Sequence, residues 1–214
     1  MNTNKNQTVA STTDLSAQGL PPGTKTNLNF DIKPAGIISD CFLAHNITSF
    51  AQATEFVRQL PYGRNQNKKD LTSLFTDNCG TCSTKHALLK LLADENKISG
   101  IKLVIGLFKM NAINTPKISA TLKRHHLEYI PEAHNYLKWE NQILDYTNRN
   151  SKPADFEGDL IEETEIQPYQ ITDFKIAFHR QYLEVWLKEQ KTSINLSPNE
   201  LWIIREQCIA DLSV

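Results

Sequence analysis

No apolar run in this chain reaches the ~18–20 residues that a helix needs to cross a bilayer. The start, MNTNKNQTVASTTDLSAQGLPPGTKTN, has no hydrophobic signal region. A soluble, cytoplasmic protein with no membrane partner is expected. Charge of one sign is also lacking. The 23 lysines and arginines face 24 aspartates and glutamates, which removes any broad electrostatic footprint for nucleic acid. The nearest basic patch, LKRHHLEY at 122–129, reads as a solvated segment. Cysteine is scarce: Cys41, Cys79, Cys82 and Cys208 are too few and too scattered for a disulfide framework, so in a reducing compartment they are free thiols. Cys41 and Cys208 are expected to be small buried apolar side chains. A second Cys-x-x-Cys and a His-x-x-x-His are missing, which leaves Cys79, Cys82 and His86, with His125 and His126, short of two zinc-ligand pairs. There is no internal repeat.

What is present is enough for a sizeable core. In 214 residues, 40% are apolar, which fits one domain of somewhat above-average size. Residues 1–27 are polar and carry Pro21, Pro22 and Gly23, the composition of a flexible arm. Residues 28–214 form the expected single domain, with a core at 48–150 and a C-terminal helical extension at 170–214.

From a cap at Thr48 or Ser49, Phe50, Ala53, Phe56, Val57 and Leu60 recur at helical spacing until Pro61 and Gly63 stop the helix. A second helix spans Cys82 to Glu95, with Ala87, Leu88, Leu91 and Leu92 on one face. IKLVIGLF, 101–108, is a buried strand. Residues 112–125 fit neither period. Residues 133–147 read as two short strands around a turn at Glu140 and Asn141, and the acidic stretch that follows, 148–170, as loop. Two helices close the chain, Asp173 to about Gln190 and Ser197 to about Leu212. In the second, Ser197 suits the N-cap, Pro198 the first turn and Glu200 the capping box. Phe174, Phe178, Tyr182, Val185, Trp186, Trp202 and Ile209 on these helices are expected to pack.

The chemistry centres on GTCSTKHALL. Thr81 can cap the helix, which places Cys82 in its first turn, where outward-pointing N–H groups favour a thiolate and can hold an oxyanion. A nucleophilic thiol needs an oriented base. With a two-residue turn, Trp139 faces Gln142 and Asp145 faces Tyr136. His134 then shares Asp145's side of the hairpin. Leu137, Trp139, Leu144 and Tyr146 occupy the opposite, core-facing side. Cys82 as nucleophile, His134 as general base and acid, and Asp145 as the group orienting the imidazole make a catalytic triad. His86, one turn after Cys82, is expected to be a packing or surface residue, Lys85 a solvated one and Cys79 an inert neighbour. Tyr62 and Arg64 are loop residues bordering the cleft.

This order of elements resembles the transglutaminase-like cysteine hydrolase superfamily, which has a papain-like fold. The matching stretches are GTCSTKHALLKLL, IKLVIGLF, EAHNYLKW and ILDYT, with LPYGRN ahead of them, over about residues 50–150. The resemblance implies an α+β papain-like domain in which the cysteine, at a helix N-terminus, packs on a small antiparallel sheet carrying His and Asp. It also implies that Cys82, His134 and Asp145 act on a peptide, protein or small amide substrate through a thioester. Hydrolysis ranks ahead of transfer to an amine, because water is always at hand. The triad supplies both nucleophile and proton transfer, so neither cofactor nor metal is called for.

Two other readings compete. CGTC at a helix start is the pattern of a thiol-disulfide oxidoreductase, but its preceding segment, NKKDLTSLFTDN, is no buried strand, and Thr115–Pro116 is the only candidate for the cis-proline such sites use. A non-catalytic binding module on the same fold is the other.

Overall fold

The computed structural model describes residues 28–190 and 194–212; the expected N-terminal arm, 1–27, lies outside them. The chain runs through helices α1 (Ile37–Ala44), α2 (Phe50–Gln59), α3 (Ser73–Asp77) and α4 (Cys82–Glu95) before its first strand, β1 (Lys102–Asn111). A short helix, α5 (Ser119–Arg124), precedes β2 (Tyr129–Trp139), β3 (Gln142–Leu144) and β4 (Leu160–Ile166), and helices α6 (Asp173–Glu189) and α7 (Pro198–Leu212) follow. The four strands form one antiparallel sheet in the order β3-β2-β1-β4. The class is α+β, as expected. No helix among the described residues is long and apolar enough to cross a membrane.

Alternation along β1 builds two cores. Leu103, Ile105 and Leu107 face α1, α2 and α4, while Val104, Phe108 and Met110 face α6 and α7. The first core is the larger, and α4 is its centre: Ala87, Leu88, Leu89, Leu92 and Ala93 are all fully buried. Replacing any of these leucines with alanine costs about 2–5 kcal/mol. Leu91, expected on the same face, is only partly buried. The second core joins Tyr136 and Ile130 of β2 to Leu183, Trp186, Leu201, Ile204 and Cys208.

Local signals set the boundaries. Ser49 caps α2 and, with Gln52, closes a reciprocal capping box. Thr81 and Thr84 do the same for α4. Ser197 and Glu200 exchange the expected bonds, Ser197 N–H to Oε2 at 2.8 Å and Glu200 N–H to Oγ at 3.3 Å. Glu140 and Asn141 have φ of 46° and 64°, the left-handed pair that a tight two-residue hairpin requires. The register is the expected one, Trp139 opposite Gln142 and Leu137 opposite Leu144.

Several expectations need correction. The acidic stretch expected to be loop contains β4, which pairs with β1 as an edge strand; only its Ile166 is buried, so it has no apolar pattern to announce it. Strand β1 runs three residues past Phe108, and β2 starts at Tyr129 rather than near Ala133. The undecided 112–125 segment is a turn followed by α5. Phe174 and Val185 are 41% and 47% exposed rather than packed, the former stacking on Phe178 at the surface. Cys41 is part-exposed, whereas Cys208 is buried as expected.

Candidate active site

Strand β3 pairs with only Leu137, Lys138 and Trp139 of β2. The edge of β2 at residues 132–135 is therefore open, and the start of α4 meets it there. Gly80 leaves room for this approach, and Gly106 leaves room for the ring that walls the histidine. A Cβ on Gly80 would lie 2.9 Å from Lys85 Cγ, and one on Gly106 of β1 would lie 2.6 Å from the Tyr136 ring beside His134. The loop ahead of α4 is tied down by Gly80 N–H to the Pro61 carbonyl, 3.1 Å, and Gly63 N–H to the Gly80 carbonyl, 3.3 Å. That tie sets Tyr62 beside Cys82.

The three residues singled out in the sequence come together. His134 Nε2 lies 3.1 Å from Asp145 Oδ2, and the Cys82 sulfur is the other charged neighbour of the imidazole, which leaves Nδ1 for that side. Asp145 is fixed in turn: its Oδ1 accepts from Thr147 N–H at 2.9 Å and Thr147 Oγ1 at 2.6 Å. Phe108, Tyr136 and Phe156 wall the imidazole, the last with its ring centre 4.8 Å away.

Charge follows geometry. Burial pushes the Cys82 thiol up, but the Lys175 ammonium, the His134 charge and hydrogen bond, and the Asn135 backbone N–H on the open edge together hold it below its ordinary value. Burial pulls His134 down, and Asp145 and the thiolate more than reverse this, so its pKa is raised. Burial pushes Asp145 up, while His134, His86 and the Thr147 hydroxyl hold it well below the usual carboxylate range. The favoured state is a thiolate and imidazolium pair backed by a carboxylate.

Of two neighbours, one departs from expectation and one does not. Lys85 is fully buried, not solvated. Its Nζ donates to the Leu60 carbonyl at 2.5 Å and the Thr147 carbonyl at 2.7 Å, bracing the end of α2 and the Asp145 loop. His86 packs, as expected: Nδ1–H donates to the Cys82 carbonyl and Nε2 accepts from Tyr146 N–H, each 2.8 Å. Burial, opposed by Asp145, pushes it down to about 4. Both ring nitrogens are engaged, so it serves neither as base nor as zinc ligand.

The structure also supplies groups that no local pattern announces. Lys175 of α6 is buried, with Nζ 4.0 Å from Cys82 Sγ, 2.8 Å from Ser83 Oγ and 2.7 Å from Asn135 Oδ1. Ser83 donates to the same Asn135 oxygen at 2.9 Å. Asn135 follows His134 directly and Ser83 follows Cys82, so their presence near the site is readable; Lys175 has no such signal. Cys82 separates two chambers. One, of about 340 Å³, is lined by Tyr62, Arg64, Lys175 and the buried Glu132–Arg205 ion pair. The other, of about 200 Å³, is lined by His134, Asp145, Phe108, Phe156, Ile209 and Leu212. Tyr62 and Arg64 thus border the cleft as expected.

Cys79 is part-exposed and lines neither chamber; its thiol is pushed up by burial and then by Asp77. Helix α3, not a strand, precedes it, and no cis peptide bond occurs among the described residues. These features fit a bystander better than half of a redox pair.

Compared with protein-family models, curated proteins and solved structures, the chain matches none.

Proposed function

We propose that this protein is a cysteine-dependent acyl hydrolase with a papain-like, transglutaminase-like catalytic domain. The observation that carries the reading is the Asp145–His134 pair beside a Cys82 thiol held below its ordinary pKa at a helix N-terminus. The Cys82 thiolate adds to an amide carbonyl. The oxyanion that forms meets the Cys82 backbone N–H, which has no acceptor within the helix. Tyr62, which lines both chambers with Cys82, supplies its hydroxyl as the second donor. Imidazolium His134 gives its proton to the leaving nitrogen as the C–N bond breaks, leaving a thioester. His134, now neutral, takes a proton from water, which attacks the thioester and restores the thiolate. Asp145 holds the imidazole orientation throughout and stabilises its charged form. Transfer to an amine follows the same path with an amine in place of water.

The test uses p-nitrophenyl acetate and a panel of simple amides. Wild-type protein is expected to carry a trapped acetyl group on Cys82 by peptide mass spectrometry and to release ammonia or amine. Cys82→Ala loses both. Amide turnover that survives Cys82→Ala, or a Cys82 that stays unacylated, overturns the proposal.

A further inference from the structure

The larger chamber beside Cys82 is unevenly charged. Five basic side chains line it, Arg64, Lys68, Lys175, Arg180 and Arg205, against two carboxylates, Glu132 and Glu206. The carboxylates are already committed. Arg205 Nε donates to Glu132 at 2.7 Å and Nη1 to Glu206 at 2.7 Å, and Arg64 also donates to Glu206. Lys175 faces the thiolate. His179, on the same wall, donates Nε2–H to the Pro131 carbonyl at 2.8 Å and is held below its ordinary pKa by burial, so it adds no charge.

The remaining two basic side chains make no ion pair among the described residues. Arg180 lies flat on Trp202, its guanidinium 4.2 Å from the ring centre, with one long bond of 3.4 Å to Asn199 Oδ1. Lys68 is part-buried and makes no hydrogen bond or ion pair among the described residues. Burial pulls its ammonium down first, then Arg64 and Lys175, with Glu206 opposing them. The smaller chamber on the other side of Cys82 has a different balance: Asp145, Asp155 and Glu132 against the His134 imidazolium alone, with an apolar wall of Phe108, Phe156, Ile209 and Leu212 and no lysine or arginine. Acylation increases the contrast, because the thioester carries no charge and Lys175 loses the anion it faces.

We infer that the larger chamber is a carboxylate-binding subsite, so that the substrate of Cys82 is an anionic acyl compound whose carboxylate rests between Lys68 and Arg180. This rests on the nucleophilic role of Cys82 proposed above and adds a substrate class to it. The positive chamber and the more apolar one give the cleft a direction: the carboxylate end of the substrate lies toward Lys68 and Arg180, the uncharged end toward Phe108 and Phe156. A cleft lined by one sign of charge raises the local concentration of the opposite ion by about 10–10³-fold.

Iodoacetate and iodoacetamide differ in little but a carboxylate, so their relative rates at one thiol report this field. Both rates are measured at Cys82 by peptide mass spectrometry at neutral pH and low salt, with N-acetylcysteine giving the intrinsic ratio. The iodoacetate-to-iodoacetamide ratio at Cys82 is expected to exceed that of N-acetylcysteine by roughly tenfold or more. Lys68→Gln and Arg180→Gln should each lower the ratio by about threefold, while Lys123→Gln, exposed on α5 and lining neither chamber, should leave it unchanged. A ratio equal to that of N-acetylcysteine, or one that neither Lys68→Gln nor Arg180→Gln moves, overturns the carboxylate subsite even when iodoacetamide labels Cys82 rapidly. If neither reagent labels Cys82, the nucleophile itself is refuted and the subsite with it.

Discussion

Asp145→Asn isolates the electrostatic part of the proposed mechanism from its shape. Asp145 Oδ1 accepts two bonds from Thr147, so the asparagine oxygen must stay there and its NH₂ must face His134 Nε2. Two donors then oppose each other where a carboxylate and an imidazolium were 3.1 Å apart. Opposite charges about 4 Å apart are worth about 4 kcal/mol at an effective dielectric of 20, or about 3 pKa units at 1.36 kcal/mol each. The Asp145 side chain is 4% exposed, so little of this is screened by solvent. With some relaxation, His134 should lose about 2 units, and Cys82, deprived of a charged partner, should move up toward ~8.5. The assay is the pH dependence of iodoacetamide labelling at Cys82, whose midpoint should rise in the variant. Amide turnover should fall about 10²–10⁴-fold. Stability changes as well. Asp145, depressed in the fold, contributes fully above its unfolded pKa of ~3.9, and this is lost as pH falls through the folded value. His134, raised in the fold, contributes fully below ~6.5, and this is lost as pH rises through its folded value. The penalty of Asp145→Asn is therefore greatest between about pH 4 and 6.5. A labelling midpoint that stays where it was would refute the reasoning.

Three other outcomes are expected. Lys85→Met keeps the volume but orphans the Leu60 and Thr147 carbonyls; relief of a buried ammonium offsets part of that, for a net loss of about 1–3 kcal/mol in urea unfolding. Glu132→Gln leaves Arg205 buried without its main counter-charge and should cost about 3–5 kcal/mol. Burial pushes Glu132 up and Arg205 more than reverses this, so its contribution is present above ~4.3 and lost as pH falls through the folded value; the acid-unfolding curve of the variant should be shallower there. Gly106→Ala drives a methyl group into Tyr136 and Leu160 at a cost of about 1–3 kcal/mol. It should also slow Cys82 labelling, because Tyr136 packs beside His134.

Where local chemistry decides the structure, the sequence was legible. Thr81 and the apolar spacing after it fixed α4, and Glu140–Asn141, able to take positive φ, fixed the hairpin register that puts His134 and Asp145 on one side. Distant contacts were not legible. Lys175 reaches Ser83 across 92 residues of sequence, and nothing near position 175 marks it as different from a solvated lysine. Lys85 reads as solvated for the same reason; its burial depends on the space Gly80 leaves and on two carbonyls from separate segments. Helix α1, IISDCFLA, is short and apolar on both sides, so no period distinguishes it from a strand. Edge strand β4 buries only Ile166, and its glutamates face solvent or pair with lysines of β1 and β2, as Glu165 does with Lys102 and Glu163 with Lys138.

The most direct measurement of the thiolate and imidazolium pair is the ultraviolet absorbance of the Cys82 thiolate against pH, taken as the difference between wild type and Cys82→Ala, with and without His134→Ala. The account predicts a midpoint well below the ordinary thiol value of ~8.5, moving up when His134 is removed. A midpoint at or above ~8.5 in the wild type, or one indifferent to His134, would contradict it.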